Sequence, residues 1–175
     1  ALTARYGVAG KAAALVVKTG LPVAITSYDK GAIDESLPGY IGVYGGERSA
    51  PEGVCAQVEQ ADLVLDIGGI LLTELNTGMW STAIDPERTV SINDNWVRIG
   101  ETVFINVAID DLLDALLAGA PARETVPAVG PAPLELTGSP ADPTSSATFY
   151  PRLQRRLRAD DTLVIETGSC MLHLN

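Results

Sequence analysis

Apolar positions recur along this chain with two periods, and the alternation between them lays out the elements. Val8, Ala12, Leu15 and Val16 fall at helical spacing within Tyr6–Thr19, and Gly20 supplies the stop. Pro22–Thr26 reads as a strand, followed by an irregular, turn-rich stretch through Lys30, Gly31, Pro38, Gly39, Gly42, Gly45 and Gly46. Ser49 is placed to cap a helix that has Pro51 near its first turn and runs to about Gln60. Asp62–Ile67 is the second expected strand, Arg88–Ile92 the third and Thr102–Ile105 a shorter fourth. Asp110–Leu117 reads as a helix capped near Asp110, with Gly119 at its end. Beyond a stretch crowded with proline, Ser146–Arg158 reads as a helix and Thr162–Glu166 as a buried strand.

Strands that are apolar along most of their length and alternate with helices imply a parallel sheet covered on both faces. The expected organisation is therefore α/β. Residues 1–118 form a Rossmann-like domain whose first strand is missing. Residues 119–145 are a linker rich in Pro, Ala and Gly. Residues 146–175 begin a second α/β domain with a helix and a strand. A helix without a preceding strand at one end, and a chain that stops five residues after Cys170 at the other, are expected to mark a piece of a larger enzyme.

Charge narrows the possible partners. Twelve Lys and Arg against 22 Asp and Glu give a net charge of -10, which argues against nucleic acid and anionic membranes because phosphates need clustered cations. Arg152, Arg155, Arg156 and Arg158 form one small basic cluster, expected to be a solvated helix face. No apolar run reaches the length of a membrane span. Two cysteines without a framework spacing, Cys55 and Cys170, suggest a reduced, cytoplasmic protein without a metal cage. Cys55 is expected to serve as a small buried hydrophobe. His173 is the only histidine, so a His-based triad or zinc site would need residues from elsewhere.

Four stretches could carry chemistry. Ile67-Gly68-Gly69 ends a strand where backbone can approach a ligand, but no glycine-rich nucleotide fingerprint accompanies it, and a tight turn is the simpler reading. Lys30 beside Asp29, Asp34 and Glu35 could be a catalytic pair or a turn with solvated charges. Asn93-Asp94-Asn95 could hold a ribose hydroxyl or form an Asx turn. Glu166-Thr167-Gly168-Ser169 offers hydroxyls and free amides at a strand end, suited to phosphate oxygens, or equally a hydroxyl-capped turn.

Residues Leu21–Gly46 bring a family into view. Pro22, Lys30, Gly31, Asp34, Glu35, Pro38, Gly42, Tyr44 and Gly46 match the run typical of thiamine-diphosphate-dependent 2-oxo acid decarboxylases. Glu59, Ala61, Asp62, Gly68, Asn76, Thr77 and Gly78 continue the match, with Glu74 where the family mostly has Asp. The tail from Thr162 to Cys170 resembles the segment that opens the family's diphosphate-binding domain. The resemblance covers nearly the whole chain and is weakest in the linker.

The resemblance implies a carboxy-lyase parent that converts a 2-oxo acid to an aldehyde and carbon dioxide, using thiamine diphosphate and Mg2+. It implies that Thr167, with Gly168 and Ser169, lies at the cofactor diphosphate. It implies that Met171 lines the substrate pocket where relatives often carry a ring, which points toward an acid larger than pyruvate. It implies a homodimer or homotetramer. The aminopyrimidine-activating Glu, the paired histidines and the metal motif would belong to other regions, so no catalytic residue and no metal ligand is assigned here. The fragment alone is expected to be inactive. Two alternatives stay open: the FAD-binding synthase and oxidase branch of the superfamily, and a non-catalytic Rossmann-like binding module.

Overall fold

The computed structural model describes residues 2–70, 72–124, 135–139, 141–158, 160–165, 170 and 173. The chain divides into two compact units, Ala1–Pro131 and Ala132–Asn175.

The first unit opens with a short helix α1 (Leu2–Arg5) and the longer α2 (Ala9–Thr19). The single expected helix from Tyr6 is interrupted because Gly7 takes a left-handed φ of 71°, which breaks the repeating helical dihedrals. Gly20 ends α2 as anticipated, with φ 64° and its N–H bonded to the Val16 carbonyl. Strand β1 (Val23–Thr26) follows, then a 3-10 turn at Ser27–Asp29 and strand β2 (Tyr40–Tyr44). β1 and β2 pair in parallel.

β2 lies inside the stretch expected to be irregular. Its glycine hides it: Gly42 interrupts the apolar run, and a strand glycine marks a close backbone approach. Here that approach is made by the Ala50–Pro51 loop, where the Pro51 Cδ would lie 2.6 Å from any Cβ added to Gly42. Helix α3 (Val54–Glu59) is shorter than expected. Ser49 cannot cap it, because the Ser49 hydroxyl accepts from the Gly45 N–H and donates to the Gly46 carbonyl.

The second sheet holds β3 (Val64–Ile67), β4 (Thr89–Ile92), β5 (Trp96–Ile99) and β6 (Thr102–Ile105), hydrogen-bonded in that order. β3 and β4 are parallel, but β4–β5 and β5–β6 are antiparallel. The all-parallel expectation therefore fails at this end. Only Gly100 and Glu101 separate β5 from β6, with Gly100 at φ 56°, and a two-residue link can join only antiparallel strands.

Helix α4 (Ile109–Gly119) packs on α2. Its N-cap is Ala108 rather than Asp110, and Asp110 and Asp111 lie in its first turn, where they complement the helix dipole. Lys11 of α2 reaches Asp110 at 2.6 Å and Asp114 at 2.8 Å. Val8, Leu15, Ile92, Val97, Ile109 and Leu113 form the core of this side. Ile25, Ile33 and Val43 form a second cluster, and Ile41, Tyr44 and Val54 a third. The core is thus divided as the sheets are.

In the second unit, α5 (Ser146–Gln154) starts from a Ser145–Thr148 capping box. It stops at Gln154, short of the expected Arg158, with Pro151 inside it. Residues 162–165 form no strand, correcting that expectation. A strand needs a partner to satisfy its backbone, none pairs with this segment among the described residues, and Val164 is exposed.

Candidate functional site

The polar chemistry of the first unit gathers at the ends of β3 and β4. Asp66 is a carboxylate set in an otherwise apolar strand. Its Oδ2 accepts from the Ile70 N–H at 3.3 Å. Burial pushes its carboxyl up to about 6, against the opposing pull of the Ile70 N–H, Ser91 and Arg98. The Arg98 guanidinium donates to the buried Ser91 hydroxyl at 3.1 Å. Gly69, at φ 80°, faces the Asn93 side chain, whose Oδ1 would lie 2.6 Å from any added Cβ. Sequence reasoning missed Asp66, although a charged residue within Leu63-Val-Leu-Asp-Ile was the available signal.

Several of the motif residues that carry the family resemblance come together elsewhere, through side-chain and backbone contacts. The Asn76 Oδ1 accepts from the Tyr28 N–H at 3.0 Å. The Thr77 hydroxyl donates to the Thr73 carbonyl at 2.8 Å. Both side chains are fully buried. Gly78 abuts the Gly45 carbonyl, and Gly46 abuts Ser81, so neither glycine leaves room for a side chain. Beside them the Tyr44 hydroxyl donates to the Glu59 Oε1 at 2.7 Å and shares a hydrogen bond with the Thr82 hydroxyl. Glu59 also accepts from the Ala83 N–H at 2.9 Å. Burial, first of all, holds the Tyr44 phenol well above its usual range. Every one of these groups is committed to holding loops together.

The sequence-derived candidates fare as follows. Lys30 forms an ion pair with Glu35 at 3.2 Å on the surface. Asp34 accepts from the Ser36 hydroxyl and N–H, which lower its carboxyl below the usual range. This is a turn with solvated charges. Asn93-Asp94-Asn95 is the link between antiparallel β4 and β5, with the Asn93 N–H donating to the Trp96 carbonyl at 2.9 Å. The turn reading applies there too. Gly68 donates to the Ile92 carbonyl at 2.8 Å, extending the β3–β4 ladder. Cys55 is half-buried beside Tyr44 and Val54, and burial raises its thiol.

Thr167, Gly168, Ser169 and Met171 lie outside the described residues. Their described neighbours in sequence contact α5. The Tyr150 hydroxyl donates to the Cys170 thiol at 3.3 Å, and its ring stacks on His173 with centroids 4.6 Å apart. Among the basic residues, Arg152 donates to the Thr148 and Gly138 carbonyls, while Arg155, Arg156 and Arg158 are exposed. No group of three or more His, Cys, Asp or Glu among the described residues could hold a metal ion, and none of the described helices is long and apolar enough to cross a membrane. The described residues by themselves do not make a site for thiamine diphosphate.

Parallel strand pairs, helices and glycine-turned strand ends define an α/β domain of Rossmann-like type whose motifs serve architecture. The chain belongs to the thiamine pyrophosphate enzyme family, with residues 2–118 matching the model of its central domain. It is 35% identical over 179 residues to pyruvate decarboxylase isozyme 2 of Saccharomyces cerevisiae, covering all of this chain and 31% of that protein. The pyruvate decarboxylases of Hanseniaspora uvarum and Candida glabrata are 33% and 30% identical, again over all of this chain and 31% of each relative. The chain therefore spans about a third of the length of these relatives.

Proposed function

We propose that this chain is the central region, with the start of the diphosphate-binding region, of a thiamine-diphosphate- and Mg2+-dependent 2-oxo acid decarboxylase. The observation that carries the proposal is the alignment of the whole chain, linker included, with pyruvate decarboxylases, together with the central-domain match. Within the longer protein, this region is a scaffold that presents residues 167–171 to the cofactor. Thr167 and Ser169 contribute hydroxyls toward the diphosphate, and Gly168 lets the backbone approach it closely. Met171 lines the substrate pocket, and its flexible thioether suits a 2-oxo acid larger than pyruvate. The cofactor, when bound, supplies the electron sink for loss of carbon dioxide. The parent works as a homodimer or homotetramer in the cytoplasm, and this chain alone is inactive.

The test is to assay the longer protein and the 175-residue chain for carbon dioxide release. Substrates are pyruvate and an aromatic 2-oxo acid, with thiamine diphosphate and Mg2+ added. Release by the long protein alone is the expected outcome, faster with the aromatic acid. A long protein that is yellow, carries bound flavin and releases no carbon dioxide belongs instead to the synthase and oxidase branch. Release by the short chain would overturn the scaffold role.

A further inference from the structure

Residues 78–80 make a left-handed turn: Gly78, Met79 and Trp80 have φ of 54°, 60° and 61°. Glycine takes that conformation freely, but at Met and Trp the Cβ crowds the following carbonyl oxygen, and successive residues of this kind are rare. Both side chains are nevertheless left in solvent, at 56% and 58% exposure. A single exposed apolar residue is ordinary, whereas two in succession on strained backbone are not. The turn is clamped on both sides. Before it, Asn76 and Thr77 are fully buried. The Asn76 Oδ1 accepts from the Tyr28 N–H at 3.0 Å, and the Thr77 hydroxyl donates to the Thr73 carbonyl at 2.8 Å. The Met79 N–H donates to the Glu74 carbonyl at 2.7 Å. After the turn, the Ser81 N–H donates to the Thr77 carbonyl at 3.0 Å, and the Ser81 hydroxyl accepts from the Glu47 N–H at 2.8 Å. These bonds impose the left-handed turn and make its tip project. Backbone strain persists only where the surroundings over-determine it, and it gathers at sites that work by contact with something else.

A cation stands beside the tip. The Arg48 stem lies against Gly78, 3.3 Å from any Cβ added there. Arg48 is exposed, and its guanidinium makes no ion pair or hydrogen bond among the described residues, in a chain of net charge -10. Trp, Met and Arg are the side chains enriched where proteins bury surface against one another. We propose that Met79, Trp80 and Arg48 form an anchor that docks onto a region of the longer protein outside this chain. Met79 and Trp80 enter an apolar pocket, and Arg48 meets a carboxylate at its rim. The inference rests on the reading of this chain as part of a longer protein. The chain spans 31% of the relatives it matches, so the larger part of such a protein lies outside it and can supply the pocket. The tip also sits at the carboxyl ends of the parallel strands β1 and β2, because Tyr28 follows the end of β1 and Gly45 the end of β2. That is the edge at which open α/β sheets meet their ligands. Charge disfavours a second copy as the occupant. A two-fold contact centred on the tip would bring Arg48 of one copy toward Arg48 of the other.

The experiment exposes the longer protein, without substitution, to hydroxyl radicals and maps oxidation by mass spectrometry, with the same protein unfolded in urea as the reference. Met79 and Trp80 should oxidise about tenfold more slowly in the folded protein, because a docked anchor is shielded from water. Rates within about twofold of the reference, as half-exposed side chains would give, overturn the proposal. Arg48→Gln keeps the stem over Gly78 and removes the charge. It should raise oxidation of Met79 and Trp80 about fivefold, since breaking one side of a shielded charge pair loosens the contact. An unchanged rate would remove Arg48 from the anchor and overturn the pocket with a carboxylate rim. Met79→benzoylphenylalanine then identifies the occupant by photocrosslinking. The expected adduct is a peptide outside these 175 residues, and an adduct to this region of a second copy would overturn the choice of partner. Neither measurement depends on decarboxylation. Failure of the anchor leaves the activity reading intact, and failure of the activity leaves the anchor intact.

Discussion

A methyl group placed on Gly78 would collide with the carbonyl oxygen of Gly45. The two glycines belong to motifs that lie far apart in sequence, one beyond the end of β2 and the other in the long connection between β3 and β4. Their contact lets the two loops pack with nothing but backbone between them. Replacing Gly78 with Ala should therefore destabilise the fold through the clash and through its φ of 54°. The expected loss is about 2–4 kcal/mol, since overpacking and a left-handed non-glycine residue add. Gly10→Ala is the contrasting change. Gly10 lies within α2 with open space around it, so Ala should leave stability unchanged or raise it by about 0.5 kcal/mol. Urea unfolding of both variants checks the pair, and similar losses at the two sites would refute this account.

Asp66 should give the fold an unusual pH dependence. Its carboxyl titrates near 6 in the folded chain against an ordinary 3.8. A raised folded value means that the folded state holds the proton more tightly. Its contribution is fully present below about pH 4 and is lost as pH rises through 6. The difference corresponds to about 3 kcal/mol at neutral pH. Asp66→Asn should remove this dependence and unfold at a higher urea concentration than the parent chain at pH 7. The check is urea midpoints at pH 4.5, 5.5 and 7 for both proteins, intervals that bracket the transition. A variant that keeps the same slope would show that another group titrates.

Tyr44→Phe removes a hydroxyl held by both Glu59 and Thr82 in a buried position. The ring packing survives, but the half-buried Glu59 carboxylate loses a donor and the Thr82 hydroxyl loses its partner, at a cost of about 1–2 kcal/mol. Adding Glu59→Gln on top should cost less than the sum of the two separate changes, because both act on one network. Strict additivity in a double-mutant cycle would show that the two groups act independently.

Lys30 tests whether a motif residue carries chemistry. It pairs with Glu35 at the surface, with about a third of each side chain exposed or more. Lys30→Ala in the longer protein should change stability by less than about 0.5 kcal/mol and leave kcat/KM within about twofold. A fall of two orders of magnitude would make it a working residue.

The α/β class was legible in the sequence because β1, β3 and β4 are apolar runs punctuated by glycine, and α2 carries its stop signal at Gly20. What stayed hidden was tertiary in origin. β2 is broken by Gly42, whose purpose appears only when the Ala50–Pro51 loop is seen lying over it. β5 is short and amphipathic, and the Gly100–Glu101 turn that reverses it was the unused hairpin signal. The sheet's polarity then followed the turn rather than the pattern of the strands. Of the candidate site, the motif residues were found through their resemblance to a family, and a resemblance does not by itself distinguish a packing glycine from a ligand-binding one. Asp66 escaped because a single charge within an apolar strand, though visible in the sequence, shows its perturbed titration only once its burial is known.

The hairpin of β5 and β6 leaves an apolar edge that should govern the behaviour of the isolated chain. All four residues of β6 are exposed, and Val103, Phe104 and Ile105 among them are large and apolar. Ile99 is exposed on the neighbouring strand. β6 pairs only with β5 among the described residues, so its outer edge can also accept a strand from another copy. Phe104→Lys should suppress self-association, because a charge on an edge strand opposes both stacking and edge pairing while costing little in a residue already exposed. Light scattering against protein concentration is the measure, with unfolding midpoints followed in parallel. A variant that scatters less at an unchanged midpoint places the association at this edge. If scattering persists at an unchanged midpoint, the association arises on another surface of the chain.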